Sequence, residues 1–239
     1  MKLTVVGCSP AWPNPGGAQS GYLVEGAGRL LLDCGPGVLA RLRRSEPWPL
    51  VDAIALTHFH LDHWGDLVPW IFGASYGAGR GVERPDLWVP PGGTATLAGY
   101  GATMGFGSQL HKVFDVHEYE EGIPFQAAGF ELTPVRLLHY QELTFGLRAS
   151  DGRATLAYSG DTAPTPSLSE LARGADVFLC EATLADPEPP EERGHLSGDE
   201  AVAAFEASGA KRLLVIHRPE ELSLPDGVER AHDGLELDL

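Results

Sequence analysis

The sequence predicts one α/β domain that spans residues 1–239. Short β-rich runs bounded by Gly, Pro and Asp alternate with helical stretches along the whole chain, which is the pattern of an α/β protein. No low-complexity linker cuts the chain into separate units. A length of 239 residues is also sufficient to bury a large hydrophobic core without disulfides or structural metals.

The strands are predicted where a short apolar run ends at turn-forming residues. In chain order they cover residues 3–6, 21–24, 29–32, 53–57, 87–89, 130–138, 144–149, 154–159, 177–180 and 212–216. The clearest helix follows Ser197, because Ser197 and Glu200 form a capping box and Gly209 can end the helix in a left-handed conformation. A second helix is predicted over residues 37–44. Segment 73–107 is predicted to contain helices and loops that flank the site, apart from strand 87–89.

The composition limits the class of partner and the compartment. The formal net charge is −16, so the overall field repels polyanions such as long RNA. Cys8, Cys34 and Cys180 are far apart and form no CxxC pair, which argues against a disulfide framework or a zinc ribbon and favours a reducing cytoplasm. The N-terminus indicates a first strand instead of a signal peptide, and no apolar run approaches the length of a membrane span.

The strongest motif lies at the end of predicted strand 53–57. It reads HxHxDH and places four potential metal ligands within residues 58–63. His58 and His60 are two positions apart, so in an extended segment both side chains leave on one face and can bind one ion. Asp62 and His63 lie where the chain turns toward a helix and can face a neighbouring ion. The alternative is a histidine-rich turn that only forms hydrogen bonds.

Three more potential ligands, His139, Asp161 and His217, each follow a predicted strand. Side chains at the ends of strands in one sandwich can converge on one edge. Imidazole and carboxylate suit Zn²⁺, our first choice, and also accept Mn²⁺ or Fe²⁺. As a carboxylate, Asp161 can offer one oxygen to each of two ions. Two such ions can share a hydroxide that is nucleophilic near neutral pH, so the sequence predicts a hydrolase with two divalent metal ions.

The order and spacing of these motifs resemble the metallo-β-lactamase superfamily over nearly the whole chain. The shared elements are HxHxDH, DCG at 33–35, His139, SGDT at 159–162 and VIH at 215–217. The resemblance implies a four-layered αββα sandwich. It also implies that His58, His60 and His139 bind one metal, that Asp62, His63 and His217 bind the other, and that Asp161 bridges them. Asp33 would support these ligands from behind.

Two further elements resemble the ribonuclease Z and phosphodiesterase branch of this superfamily. They are CEAT at 180–183 and GHLS at 194–197. Segments 156–162 and 175–182 are similar to bacterial proteins described as atypical class II cyclic nucleotide phosphodiesterases. The resemblance implies that His195, oriented by Glu181, stabilises the phosphoryl transition state or protonates the departing oxygen. The predicted catalytic residues are therefore Asp62, Glu181 and His195.

The chain departs from ribonuclease Z in two ways. Only residues 140–160 separate His139 from Asp161, which leaves no room for the long arm that holds transfer RNA, and no clear counterpart of the basic PxKxRN element is found. The expected partner is therefore a small phosphodiester such as a cyclic nucleotide, with RNA disfavoured, no membrane partner and a homodimer left open. The loops around residues 64–76 are candidates for the wall of a substrate pocket.

Other interpretations stay open at this point. A ribonuclease Z-like RNA-processing endonuclease would use the same site. A thioester or lactone hydrolase, or a mononuclear iron oxygenase, is disfavoured because both Glu181 and His195 are present. The intact ligand set disfavours a non-catalytic metal-binding protein. His195 could be a loop histidine ahead of a capped helix, and Arg218 could reach a phosphate or pair with Glu220 or Glu221.

Overall fold

The computed structural model describes residues 1–239, except for the side chain of Pro190. The strands are β1 (Lys2–Gly7), β2 (Gly21–Glu25), β3 (Arg29–Leu32), β4 (Ala53–Ala55), β5 (Asp86–Val89), β6 (Asp115–Glu118), β7 (Phe125–Ala127), β8 (Phe130–Arg136), β9 (Phe145–Ser150), β10 (Thr155–Tyr158), β11 (Val177–Glu181), β12 (Leu213–Ile216) and β13 (Glu236–Asp238). The helices are α1 (Val38–Leu42), α2 (Leu61–Trp64), α3 (Leu67–Tyr76), α4 (Gly93–Met104), α5 (Leu110–Val113), α6 (Pro166–Leu171) and α7 (Gly198–Ser208), with a 3-10 turn at Pro190–Glu192.

The strands form two mixed sheets. Sheet A has the order β13-β1-β2-β3-β4-β5-β6, and sheet B has the order β12-β11-β10-β9-β8-β7. Strands β3 to β6 run parallel to one another in sheet A, as do β10 to β12 in sheet B. The carboxyl ends of parallel strands lie at the same edge of a sheet, so the loops that follow them are neighbours.

Three buried apolar clusters separate four structural layers. Alternate residues of a strand face opposite sides of its sheet: in β3, Leu30 and Leu32 face the cluster between the two sheets, whereas Leu31 faces the helices. The second cluster packs α1 and α3 against sheet A, and the third packs α6 and α7 against sheet B. This arrangement confirms the four-layered αββα sandwich.

All ten predicted strands are present, with shifts of one or two residues at several ends. Predicted strands 53–57 and 130–138 stop early, at Ala55 and Arg136. Three strands, β6, β7 and β13, were not predicted. The capping box of Ser197 and Glu200 is formed, and Gly209 ends α7 with a φ of 67°.

The stretch at 64–76 differs from the prediction of pocket-wall loops. It consists of the end of α2 and the whole of α3. Trp64 and Trp70 are fully buried against sheet A and cannot line an open pocket, whereas Phe72 and Tyr76 are exposed and stay candidates for a pocket wall. Among the described residues, no helix combines the length and apolar character needed to cross a bilayer.

Candidate metal centre

The HxHxDH segment begins where β4 is interrupted by a buried carboxylate. The Leu56 N–H still donates to the carbonyl of Trp88 at 2.9 Å, but the Thr57 N–H donates to Asp33 Oδ1 at 2.8 Å. The chain therefore leaves the sheet at Thr57 and turns into α2. Gly35 lies beside this turn, and a Cβ there would stand 1.9 Å from the carbonyl oxygen of Asp62, so the close approach requires glycine.

The structure brings all seven predicted ligand side chains together in two groups. One group comprises His58, His60, His139 and Asp161, and the other comprises Asp62, His63, His217 and Asp161. Within each group, the potential ligand atoms lie within 4.8 Å of one another. Because Asp161 belongs to both groups, the arrangement is suited to two neighbouring metal ions.

Several buried atoms of these groups lack a hydrogen-bond partner. They are His58 Nε2, His63 Nε2 and Asp161 Oδ1; the latter two lie 3.2 Å apart without hydrogen-bond geometry. His139 Nε2 also faces His60 Nδ1 at 2.9 Å. Burying such atoms without a partner costs free energy. The donor set of imidazoles and carboxylates therefore fits divalent metal ions, among them Zn²⁺, Mn²⁺ and Fe²⁺.

The charges around the two groups also favour cations. Burial by itself would raise the pKa of Asp161, but His217 and His63 outweigh it and hold that pKa well below its usual range. Burial lowers the pKa of His58 well below its ordinary value, so this imidazole is neutral, as a metal ligand must be. His63 behaves differently, because Asp161 and Asp33 outweigh its burial and raise its pKa.

Hydrogen bonds behind the ligands fix which ring nitrogen faces the centre. His63 donates from Nδ1 to Asp33 Oδ2 at 2.6 Å, the oxygen that also accepts from the hydroxyl of Tyr158 at 2.6 Å. The Thr57 hydroxyl donates to the same oxygen and accepts from His58 Nδ1 at 3.0 Å. Both imidazoles therefore present Nε2 to the centre. Asp33 bonds to His63 directly and to His58 through the Thr57 hydroxyl, which is the supporting position that the sequence predicts for it.

Thr183 orients a histidine at the edge of sheet B in the same way. Its hydroxyl accepts from His217 Nδ1 at 2.8 Å and donates to Glu181 Oε2 at 2.9 Å, while His139 donates from Nδ1 to the carbonyl of Gly194 at 2.6 Å. The sequence motifs alone do not single out Thr57 or Thr183. Their signal is that each adjoins a motif residue, in THFHLDH and CEAT.

His195 and Glu181 form a hydrogen-bonded pair beside the two groups. His195 Nδ1 lies 2.7 Å from Glu181 Oε1, and its ring centroid is 4.7 Å from that of His139 and 5.8 Å from that of His217. The His195 side chain is 14% exposed. Burial alone would lower its pKa, but Glu181 and the other nearby carboxylates outweigh burial and raise the pKa to about 9.

A second contact, here called the Tyr140–Glu188 clasp, holds the loop that carries His195. Glu188 Oε1 accepts from the Tyr140 hydroxyl at 2.7 Å, and Oε2 accepts from the backbone N–H groups of Gly194 at 2.7 Å and His195 at 3.2 Å. The Tyr140 N–H donates to the carbonyl of Arg193 at 3.1 Å. A Cβ at position 194 would lie within 2.4 Å of three ring atoms of Tyr140.

Backbone strain is concentrated at this centre. Four non-glycine residues have a positive φ, namely Asp33, Ala128, Tyr140 and His217. Three of the four belong to the centre or the clasp. Such conformations cost free energy and persist where the surrounding contacts hold them, which is typical of functional sites.

The family model described as "Beta-lactamase superfamily domain" matches residues 28–218, a range that begins before Asp33 and includes all seven residues of the two groups. The chain belongs to the metallo-β-lactamase superfamily. This membership explains why the two groups, the orienting carboxylate and the four-layered sandwich occur together in one chain. It also confirms the superfamily that the sequence motifs indicated.

Three relatives cover most of the chain. Rv1339 of Mycobacterium tuberculosis is 35% identical over 239 residues, covering 97% of this chain and 85% of the relative. YhfI of Bacillus subtilis, described as a probable metallo-hydrolase, is 30% identical over 224 residues, covering 92% and 87%. Its crystal structure superimposes with a TM-score of 0.81, 25% identity and 99% of each chain covered. Ribonuclease Z of Mycobacterium marinum is 29% identical over 240 residues, covering 91% and 86%.

Proposed function

We propose that this chain is a dinuclear metal-dependent phosphodiesterase that hydrolyses cyclic nucleotides or other small cyclic phosphodiesters. The observation that carries the proposal is the position of Asp161, which belongs to both ligand groups, next to the His195–Glu181 pair. Two bound divalent ions, with Zn²⁺ as first choice, would neutralise phosphoryl charge and lower the pKa of a water molecule. The chain's own residues must then hold the ions, orient the phosphate and supply a proton.

The ligand roles follow the two groups. We assign His58, His60 and His139 to one ion, Asp62, His63 and His217 to the other, and Asp161 to both. Asp62 Oδ2 supports this division, because it lies 3.0 Å from His217 Nε2 and 3.4 Å from His63 Nε2. The catalytic role that we propose for Asp62 is to hold the second ion against the reacting phosphate.

We assign proton donation to His195. Its Nδ1 is committed to Glu181 Oε1, so Nε2 is the atom that can give a proton to the departing oxygen. Glu181 is itself fixed, because Oε1 also accepts the N–H of Thr162 and Oε2 accepts the N–H of Thr183, each at 3.0 Å. An acid whose orientation is fixed in this way loses little freedom when it reaches the transition state.

A small substrate is favoured over RNA by charge and by the shape of sheet B. An RNA is held through many phosphate contacts away from the scissile bond, and these need cationic surface or a dedicated arm. The net charge here is −16. Between His139 and Asp161 the chain forms the hairpin of β9 and β10, whose turn comprises only residues 151–154. The rival RNA-processing function is supported by the ribonuclease Z relative.

The deciding experiment compares two substrates on zinc-loaded protein. We expect hydrolysis of 3′,5′-cyclic AMP with a kcat/KM far above that for 3′ processing of precursor transfer RNA under the same metal and salt. Asp161→Ala, which removes the shared ligand, serves as the inactive control, and Asp199→Ala on the exposed start of α7 serves as the matched active one. Efficient RNA cleavage with negligible cyclic AMP turnover would instead establish the nuclease.

A further inference from the structure

A cavity of about 430 Å³ lies beside the carboxyl ends of β1 and β12. Its charged side chains are Arg41, Arg218, Arg230, Glu220 and Asp233, with His232 next to them. Three cations against two anions give this lining a net charge of +1 with His neutral, in a chain whose net charge is −16. The described residues of the lining include none of the seven proposed metal ligands.

Both oxygens of the Asp233 carboxylate already have partners within the protein. Its Oδ1 accepts the N–H of Cys8 at 3.1 Å, and its Oδ2 accepts the N–H of Ala18 at 2.8 Å. Oδ2 also lies 2.9 Å from Arg41 Nη2. Arg41 and Asp233 therefore neutralise each other, and the charge of the cavity is set by Arg218, Arg230 and the exposed Glu220.

Arg218 has no acidic partner in the described part of the chain. It is only 5% exposed, and its Nη1 donates to the carbonyls of Ala182 and Leu184 at 2.5 and 2.8 Å. Its Nε is buried and has no partner at all. This result answers the question left open by the sequence, because Arg218 pairs with neither Glu220 nor Glu221. A buried guanidinium without a counter-ion is costly unless an anion joins it.

Arg230, which is half-buried, also donates only to backbone carbonyls of the described residues. Its Nη1 donates to the carbonyl of Glu220 at 3.1 Å, and its Nη2 donates to the carbonyl of Leu222. Like Arg218, it forms no ion pair with any carboxylate of the described residues. In a sequence with 33 acidic and 17 basic side chains, two neighbouring arginines that bind only neutral carbonyls give this cavity a local positive charge that is suited to an anion.

We propose that this cavity binds the phosphate group of a small phosphate monoester, at a site separate from the metal centre. Guanidinium groups bind oxyanions with strong, charge-assisted hydrogen bonds. The volume falls within the range of about 300 to 1,000 Å³ that is typical of small-molecule sites, so it accommodates an organic group beside the phosphate. Asn14 and Ser9 add polar atoms to the lining.

The cavity is joined to the metal centre through one short segment. Arg218 directly follows His217, and its carbonyl accepts from Asn14 Nδ2 at 3.1 Å. Asn14 Oδ1 in turn accepts from the N–H of Glu220 at 3.0 Å. The loop after β1 is thereby fixed to the loop after β12, which gives the site rigid walls on both sides.

The test is titration calorimetry of zinc-loaded protein with inorganic phosphate and, separately, with 5′-AMP. We expect Arg230→Gln to weaken binding by about tenfold or more, as the loss of a hydrogen bond to a charged group implies. Arg218→Lys, which keeps the charge but loses the planar fork, should weaken it too. Arg173→Gln, which removes an exposed cation outside the cavity, should leave binding unchanged. Adenosine, which lacks the phosphate, should not bind at this site.

The Asp161→Ala variant distinguishes phosphate binding in this cavity from phosphate binding at the metal centre, because the substitution should impair metal binding and leave the cavity intact. Retained phosphate binding in this variant supports the proposal. Binding that disappears in Asp161→Ala, or that persists unchanged in both Arg230→Gln and Arg218→Lys, overturns it. Since calorimetry measures binding and not turnover, the outcome does not depend on whether the chain hydrolyses cyclic nucleotides.

Discussion

Glu181 is the residue on which the chemistry of the proposed acid depends. It is fully buried, yet each of its two oxygens accepts at least two hydrogen bonds, from the backbone, from the Thr183 hydroxyl or from His195. A carboxylate bound in this way is fixed in direction. It links His195 to the bond between Thr183 and His217, so one side chain orients both an acid and a proposed metal ligand.

The prediction at this scale concerns His195→Ala. If His195 protonates the leaving oxygen, kcat for cyclic AMP should fall by roughly 10²- to 10⁴-fold, while the zinc content stays at the wild-type value. Steady-state kinetics with elemental analysis of the same samples checks both. His111→Ala, at an exposed position, is the control. Loss of zinc would identify His195 as a ligand or a folding determinant, and full activity would leave it a loop histidine.

At the scale of elements, the strands that the sequence did not predict share one property. β6, β7 and β13 are all edge strands of their sheets. An edge strand pairs on one side only, so much of its side-chain surface faces solvent and its apolar alternation is weak. The central strands, such as β11 with five buried residues in succession, carry long apolar runs and were predictable.

The residues of the site also differ in how predictable they are from the sequence. The seven proposed ligands were predictable because each follows an apolar strand or lies in HxHxDH. The residues that orient these ligands were less predictable. Tyr140 and Glu188 are 48 positions apart in the sequence, and only the packing of the loop before α7 against the turn after β8 brings them together. The spacing of the two residues in the sequence does not indicate such a contact.

The Tyr140–Glu188 clasp leads to a prediction for Gly194→Ala. The added Cβ would collide with the Tyr140 ring, so the ring or the His195 loop must move. We expect a loss of about 1–3 kcal/mol in the free energy of unfolding and a fall in kcat of up to about 10²-fold from the displaced acid. Urea unfolding and steady-state kinetics measure the two effects.

Two further variants test the cause of that loss. Gly99→Ala lies within α4 and meets no atom within 4 Å, so it should be neutral or stabilise by about 0.5–1 kcal/mol. Adding Tyr140→Ser to Gly194→Ala removes the collision and should recover stability, though not the clasp. If Gly194→Ala behaves like Gly99→Ala, the clasp has no mechanical role.

At the scale of the whole molecule, the proposed ligands come from both halves of the sandwich. HxHxDH belongs to the loop after β4 of sheet A, whereas His139, Asp161 and His217 follow strands of sheet B. Bound ions would therefore connect the two sheets. Removing them should lower the melting temperature, because a ligand that binds only the folded state stabilises it by about 2.7 kcal/mol at a hundredfold excess over its Kd.

Scanning calorimetry before and after chelation, and again after zinc is restored, measures this effect. The shift should be reversible, and it should shrink in Asp161→Ala, which cannot share a ligand between the two ions. Identical melting temperatures in all three states would contradict a structural contribution from the metals.

The sharing of Asp161 also has a thermodynamic consequence. In the proposed centre, one carboxylate serves two binding equilibria, so the affinity for either ion depends on whether the other is present. Linkage requires this dependence to be reciprocal, with the same factor in both directions. An ion that fixes Asp161 in place favours its neighbour, whereas the repulsion between two divalent charges opposes it. A zinc titration should therefore depart from the curve for two independent, equal sites, and the sign of the departure measures which of these effects is larger.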